Sequence, residues 1–298
     1  MMINSSDYNN DVIHSKGTGV INSMKLISLF MAALMASLLA FTSISATAQE
    51  KVGVVLMHGK QGGGQNDNSL RALHDKMQQA GFIVLKPEMP WSFNRFIEGN
   101  WDMAMSEIHA YVQQLKTMGA QKIALVGHSL GSPAALSYAA RNPDEVHALG
   151  LLAPGHVPYY YSQCIPFSPI RMCGVKDGVA QARQEIAAGN GDKKQPQVDI
   201  NQGRRQVVWM TSKDYLSYFD PASDAEMAVT APKIPARIPV LWVIGDKDYL
   251  IREGRQYVFD KLPTNAKSQY LEVSANHIST PAVASDQIVS WLQAAMGN

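Results

Sequence analysis

The sequence predicts an α/β fold: a mostly parallel sheet of about six strands, covered by helices on both faces, with a cap inserted between the fourth and fifth strands. Three observations predict it. Short runs rich in valine and leucine alternate with helical patterns from Lys51 to Met296. The first strand run is apolar throughout from Val52 to Met57, as a sheet buried on both faces requires. Another strand run passes straight into a helical run through Gly127-His128-Ser129-Leu130-Gly131, "GHSLG".

The elements follow in order. Residues 1–48 read as leader and signal peptide. Met1 to Ser23 is polar and patternless, so the start is open between Met1 and Met24. From Met24 a positive Lys25, an apolar run Leu26–Phe41 and a small-x-small site Ala46-Thr47-Ala48 form the secretory pattern. A membrane anchor would need about 18 or more apolar residues, and Ser28 and Ser37 interrupt this run. The mature chain is expected to begin at Gln49 and to be exported, periplasmic or secreted, without a stable membrane anchor. Residues 49–298 then form a single domain.

Lys51–His58 is strand one, and the run from Asn68 to Gly81 is a helix stopped by glycine. Phe82–Pro90 is strand two. Ala104–Gly119 is a helix, and Lys122–Ser129 is strand three. A helix follows from Gly131, with Pro133 in its first turn, where a missing N–H costs nothing. His147–Pro154 is strand four, Pro239–Asp246 strand five, Glu253–Pro263 a helix and Ser268–Asn276 strand six. Ala282–Met296 is a closing helix with Val283, Ile288, Leu292 and Met296 near one stripe. Residues 155–239 are too long for a structureless loop and read as the cap, with a helix at Gly178–Gly189 and a second helical piece around Val207–Tyr218.

Composition excludes some functions. With 46% hydrophobic residues, 17% charged residues and a net charge of +1, nothing points to a nucleic acid or another polyanion. No Cys/His cluster has zinc spacing, and Gly62–Gly64 is followed by no G-K-[ST]. No metal and no cofactor is implied.

The chemistry lies in "GHSLG". A tight strand-to-helix turn needs its glycines, and it lifts the Ser129 hydroxyl above the sheet over a helix N-terminus. The plainer reading is a helix-capping serine. A nucleophilic serine needs a base and an orienting acid. His277 follows the last strand, in "NHISTP", and Asp246 and Asp248 end strand five, in "GDKD". His58 ends strand one and is expected to shape its loop. All fall at carboxyl ends of parallel strands, where open α/β sheets place their sites.

Together "LMHG" (Leu56–Gly59), "GHSLG", "GDKD" and "NHISTP" resemble the α/β-hydrolase superfamily over Lys51–Met296 apart from the cap. The resemblance implies a Ser129–Asp–His277 triad working through an acyl-enzyme. The family's G-x-x-D spacing puts the acid at Asp248, leaving Asp246 to shape the turn. It also implies an oxyanion hole from the backbone N–H of Leu130 and of Lys60. Here "HGKQGGG" departs from H-G-G-G, so the second donor stays open between Lys60 and Gln61.

The expected function is a carboxylester hydrolase acting on a small-molecule ester. An acyltransferase or peptidase would use the same triad, and a catalytically silent binding protein could share the scaffold. The aromatic stretches Met89–Phe93 and Tyr159–Phe167 either line an apolar acyl pocket or pack the cap on the core. Cys164 and Cys173 are the only cysteines, and export predicts a disulfide between them.

Overall fold

A computed structural model describes residues 50–298 apart from 65–66, 164–165, 168–169, 172, 202–203, 249–253 and 298. The signal-peptide reading of residues 1–48 lies outside the described residues, as does the Cys164–Cys173 pairing, since the side chains of 164–173 are not among them.

The strands in chain order are β1 (Val52–Met57), β2 (Ile83–Leu85), β3 (Lys122–His128), β4 (Ala148–Leu152), the two-residue β5 (Pro166–Phe167) and β6 (Ile170–Arg171), β7 (Lys194–Asn201), β8 (Arg204–Thr211), β9 (Val240–Gly245) and β10 (Gln269–Val273). Six of them form one sheet in the order β10-β9-β4-β3-β1-β2, every pair parallel. This is the α/β-hydrolase architecture the sequence predicts, with helices on both faces.

Side chains of each central strand alternate between two cores. Val55, Met57, Leu125, Leu151 and Trp242 face one core, which the helices Trp101–Thr117 and Gly131–Arg141 complete. Val54, Leu56, Val126, Leu152 and Val243 face the other, closed by the helices Arg71–Gln79 and Ser285–Met296. Strands β1 and β9 are buried over their whole length, which is why they read as unbroken apolar runs.

The segment between β4 and its sheet neighbour β9 holds the antiparallel hairpin β7–β8 and the helices Pro158–Gln163, Cys173–Ala187 and Ser212–Phe219. Val175, Val179, Ile200, Val208, Tyr215 and Phe219 join the first core.

Three local expectations change. The helical piece expected around 207–218 begins only at Ser212, because Arg204–Thr211 is β8. Val208 and Met210 are buried while Val207 and Trp209 are exposed, a period of two. The helix expected at 253–263 splits at Val258, which leaves helical geometry and buries its side chain completely. The closing helix also breaks, at Ala284, and its inward stripe is Ala284, Ile288, Leu292 and Met296, with Val283 half exposed.

From β1 the chain steps outward to β2, then crosses to the far side of β1 to lay down β3 and the rest. This reversal opens a crevice beyond the carboxyl ends of β1 and β3, the place where open α/β sheets bind ligands.

Candidate active site

Beyond β3 the chain turns within three residues into the helix Gly131–Arg141. Ser129 takes φ +52, a left-handed value that a serine adopts only under constraint. The constraint is close packing. A Cβ on Gly127 would lie 2.0 Å from the Gly131 carbonyl oxygen, and one on Gly131 would lie 2.7 Å from that of Met57. The Ser129 N–H donates to Leu152 O at 3.0 Å, and Ser132 Oγ donates to Gly127 O at 2.7 Å. The residue capping the helix is Leu130, which makes no side-chain cap bond. The capping role for Ser129 is therefore not the one its hydroxyl takes.

That hydroxyl lies 3.0 Å from His277 Nε2, and His277 Nδ1 lies 2.7 Å from Asp248 Oδ2. An Nδ1–H donated to the carboxylate leaves Nε2 as acceptor for the serine proton. His277 is held from behind. Asn276 Oδ1 accepts the N–H groups of Ile278 and Ser279, and Thr280 N donates to Asn276 O. Asp248 is buried at the end of β9. Asp246 is exposed, and its Oδ1 accepts the Ala275 N–H at 3.1 Å, tying the β9 turn to the β10 turn.

The loop after β1 is a turn closed by Gly62 N donating to Gly59 O at 3.0 Å, with Gln61 at φ +60. The Gln61 N–H is spent on Trp91 O at 2.8 Å. His58 Nε2 accepts the Met89 N–H, so its Nδ1 carries the hydrogen and donates to Gly59 O at 2.7 Å. Burial, opposed by the Gly59 bond, keeps this imidazole below its ordinary pKa.

Two features were not visible as functional in the sequence. His128 is fully buried, and its Nε2 donates to the backbone carbonyl of His277 at 2.9 Å. Burial, and then the neighbouring His277, lower its pKa to about 4, so the residue beside the serine is a neutral donor that fixes the other imidazole. Its place inside G-x-S-x-G was the available signal.

The second feature is the grip of hairpin β7–β8 on the loop after β1. Lys60 Nζ donates to Asp199 Oδ1 at 2.5 Å and to Ile200 O at 3.2 Å, with the Asp199 side chain fully buried. Gln206 Nε2 donates to Asp199 Oδ2, Gln61 Nε2 to Gln206 Oε1, and Asn201 Nδ2 to Gln61 Oε1. Burial works to raise the Asp199 carboxyl, but the Lys60 ammonium and the amides outweigh it and hold the acid below its usual range. No sequence signal joined residues 139 positions apart.

A cavity of about 880 Å³ stands over Ser129 and His277. Among the described residues its lining, apart from backbone and Ile278, is polar and includes Gln61, Asp67, Asn201, Arg204, Arg205 and Gln206. Neither Met89–Phe93 nor the described side chains of Tyr159–Gln163 are in that lining. Trp91 is fully buried, stacks on Trp101 and donates to His58 O at 2.8 Å, while Tyr160 and Tyr161 pack in the first core. Of the two roles open to these aromatics, packing is the one these three take.

Residues 86–280 match the sequence model described as the alpha/beta hydrolase fold. No curated relative matches the chain. Among solved structures the chain is similar to Est1E of Butyrivibrio proteoclasticus with ferulic acid bound, at 16% identity and TM-score 0.61, over 85% of this chain and 92% of that one. It is similar to a thermostable carboxyl esterase of Bacillus coagulans, at 14% identity and TM-score 0.58, over 84% and 92%. It is also similar to a monoacylglycerol lipase of Paleococcus ferrophilus, at 21% identity and TM-score 0.56, over 82% and 94%. At such identities the likeness is one of fold.

Proposed function

The chain belongs to the alpha/beta hydrolase fold family, and from that premise we propose that it is a serine carboxylester hydrolase, exported from the cytoplasm and working through an acyl-enzyme. The observation that carries this reading is the continuous chain Ser129 Oγ, His277 Nε2, His277 Nδ1 and Asp248 Oδ2, anchored on a left-handed serine. A structural serine gains nothing from that backbone strain, whereas a nucleophile gains exposure above the sheet.

In this reading Ser129 Oγ attacks the ester carbonyl as its proton passes to His277 Nε2. Charge gathers on the carbonyl oxygen, facing the backbone N–H groups of Lys60 and Leu130, each donor worth about 3 kcal/mol in comparable enzymes. The carbonyl re-forms, the C–O bond to the alcohol breaks, and His277 returns the proton to the leaving oxygen. Water then repeats the sequence on the acyl-serine, releasing the acid and restoring Ser129. Asp248 keeps the hydrogen of His277 on Nδ1 and offsets the positive charge that the ring acquires. His128 and the Asn276 turn hold the ring in place.

Export rests on the Met24–Ala48 pattern. Labelling by a fluorophosphonate tests the nucleophile: the intact protein should label stoichiometrically at Ser129, and Ser129→Ala should not. Labelling elsewhere, or none, rejects the assignment. Adding a primary alcohol to the assay separates hydrolysis from acyl transfer, and hydrolysis predicts no new ester.

A further inference from the structure

The cavity over Ser129 has a rim that the hydrolytic steps do not use. Hairpin β7–β8 pairs Asn201 with Arg204, and Asp199 with Gln206. Alternate residues of a strand share a face, so Arg204 lies on the same side as Gln206, the side that grips Lys60 and Gln61. Arg204 and Arg205 both line the cavity and are both exposed.

Their charge is not neutralised from within the hairpin. The carboxylate of Asp199 is consumed by Lys60, Gln206 and the Ile200 N–H. The other acid among the described lining residues, Asp67, lies beside Gly62. Its Oδ1 already accepts the Ser69 N–H and hydroxyl, and the Lys86 ammonium lies close enough to sense its charge. Amides of Gln61 and Asn201 complete the rim, and among the described residues the one apolar side chain in the lining is Ile278. An alkyl chain would find little to replace water here. A substrate bearing a negative charge would find two guanidinium groups, the side chain best suited to bidentate binding of carboxylate or phosphate.

We propose that the site takes esters whose non-reacting part carries an anionic group, held at the hairpin rim by Arg204 with Arg205 beside it. The proposal deepens the hydrolase reading and rests on it for turnover.

The test uses matched pairs of esters with the mature protein. Mono-4-nitrophenyl glutarate is compared with 4-nitrophenyl pentanoate, placing the charge on the acyl side. 4-Acetoxybenzoate is compared with phenyl acetate, placing it on the alcohol side. Rates are corrected for uncatalysed hydrolysis. In at least one pair kcat/KM should favour the anion by about tenfold at low salt, a preference that shrinks as screening rises. In Arg204→Gln/Arg205→Gln the ratio should fall to about 1. A ratio of one or less in both pairs, or one that the substitutions leave unmoved, overturns the proposal. If fluorophosphonate fails to label Ser129 the hydrolase reading fails separately, and calorimetric titration with glutarate then reads the rim alone. Binding that disappears in the double variant supports the anionic subsite, and no binding to the unaltered protein rejects it.

Discussion

The Lys60 ammonium meets a carboxylate oxygen of Asp199 at 2.5 Å, and the aspartate side chain has no exposed surface. The pair joins the loop beside the serine to a hairpin inserted more than a hundred residues later. Removing one partner of a buried ion pair strands the other and costs about 3–5 kcal/mol. Asp199→Asn should therefore lower stability on that scale in urea unfolding. It should also lower kcat more than KM, because in the proposed mechanism the Lys60 N–H meets charge that exists only in the transition state. Lys60→Met/Asp199→Leu, which removes both charges, should recover most of the stability but not the rate. Recovery of both would reduce the pair to a packing feature.

Ser129→Ala should lose turnover by roughly a million-fold, the scale seen for nucleophile deletion in another serine hydrolase. Thermal unfolding should stay close to that of the unaltered protein. Ser129→Gly should be as inactive but more stable than Ser129→Ala by about 1 kcal/mol, since glycine accepts φ +52 without strain. A glycine variant no more stable than the alanine variant would count against strain at the elbow.

The two aspartates after β9 should separate cleanly. Asp248→Asn should cost about 10⁴ in kcat with the fold intact, because an amide cannot hold the His277 hydrogen on Nδ1. Asp246→Asn weakens a bond to the Ala275 N–H and should cost about 1 kcal/mol of stability, with kcat nearly unchanged. The opposite pattern would transfer the acid to Asp246.

Acid should weaken the fold before its carboxylates titrate. Burial, and secondarily Lys60, lowers the His156 pKa to about 3, and burial with His277 lowers that of His128 to about 4. The unfolded chain takes up these protons from about pH 6.5 downward, and the folded chain does not until far lower. Stability is thus full above about pH 6.5 and falls as pH drops toward 4, by up to ~1.4 kcal/mol per unit for each histidine. Glu145, held down to about 2 by Lys116, Tyr138 and Gln113 against the opposing effect of burial, acts only below its ordinary range. Urea midpoints at pH 7 and pH 5 measure the loss, and His156→Gln should reduce it. Equal midpoints at the two pH values would overturn the assignment.

What the sequence revealed here was local. The elbow needs glycines at 127 and 131 for steric reasons that any chain making this turn must meet, so Ser129 could be picked out directly. Asp248 follows β9, whose apolar run is unmistakable, and His277 follows β10, a more polar edge strand. The hairpin was hidden because its first strand, β7, turns polar side chains inward. Gln195, Gln197 and Asp199 point inward, satisfied by partners such as Ser212 and Lys60, while Trp209 faces solvent. Hydrophobic periodicity cannot register a buried face built of paired polar groups. For the same reason the sequence left the aromatic stretches open between lining the cavity and packing the cap. Trp91, Tyr160 and Tyr161 are real core, and the polar residues that form the wall look like ordinary surface in a string of letters.

The distances along the chain have a consequence for how this protein comes alive after synthesis. His277 reaches Ser129 across 148 residues, and Lys60 reaches Asp199 across 139. Only the Asp248–His277 contact, at 29, is comparatively near. Contacts of long sequence separation form late, since their loops must be closed before they return any energy. Helical signal recovered on dilution from denaturant should therefore run ahead of recovered activity. A nascent chain lacking its final strand and helix would carry an exposed serine with nothing to take its proton. Reactivity is thus withheld until the last segment docks, and hydrolysis of a chromogenic ester becomes a clock for the completion of the whole molecule.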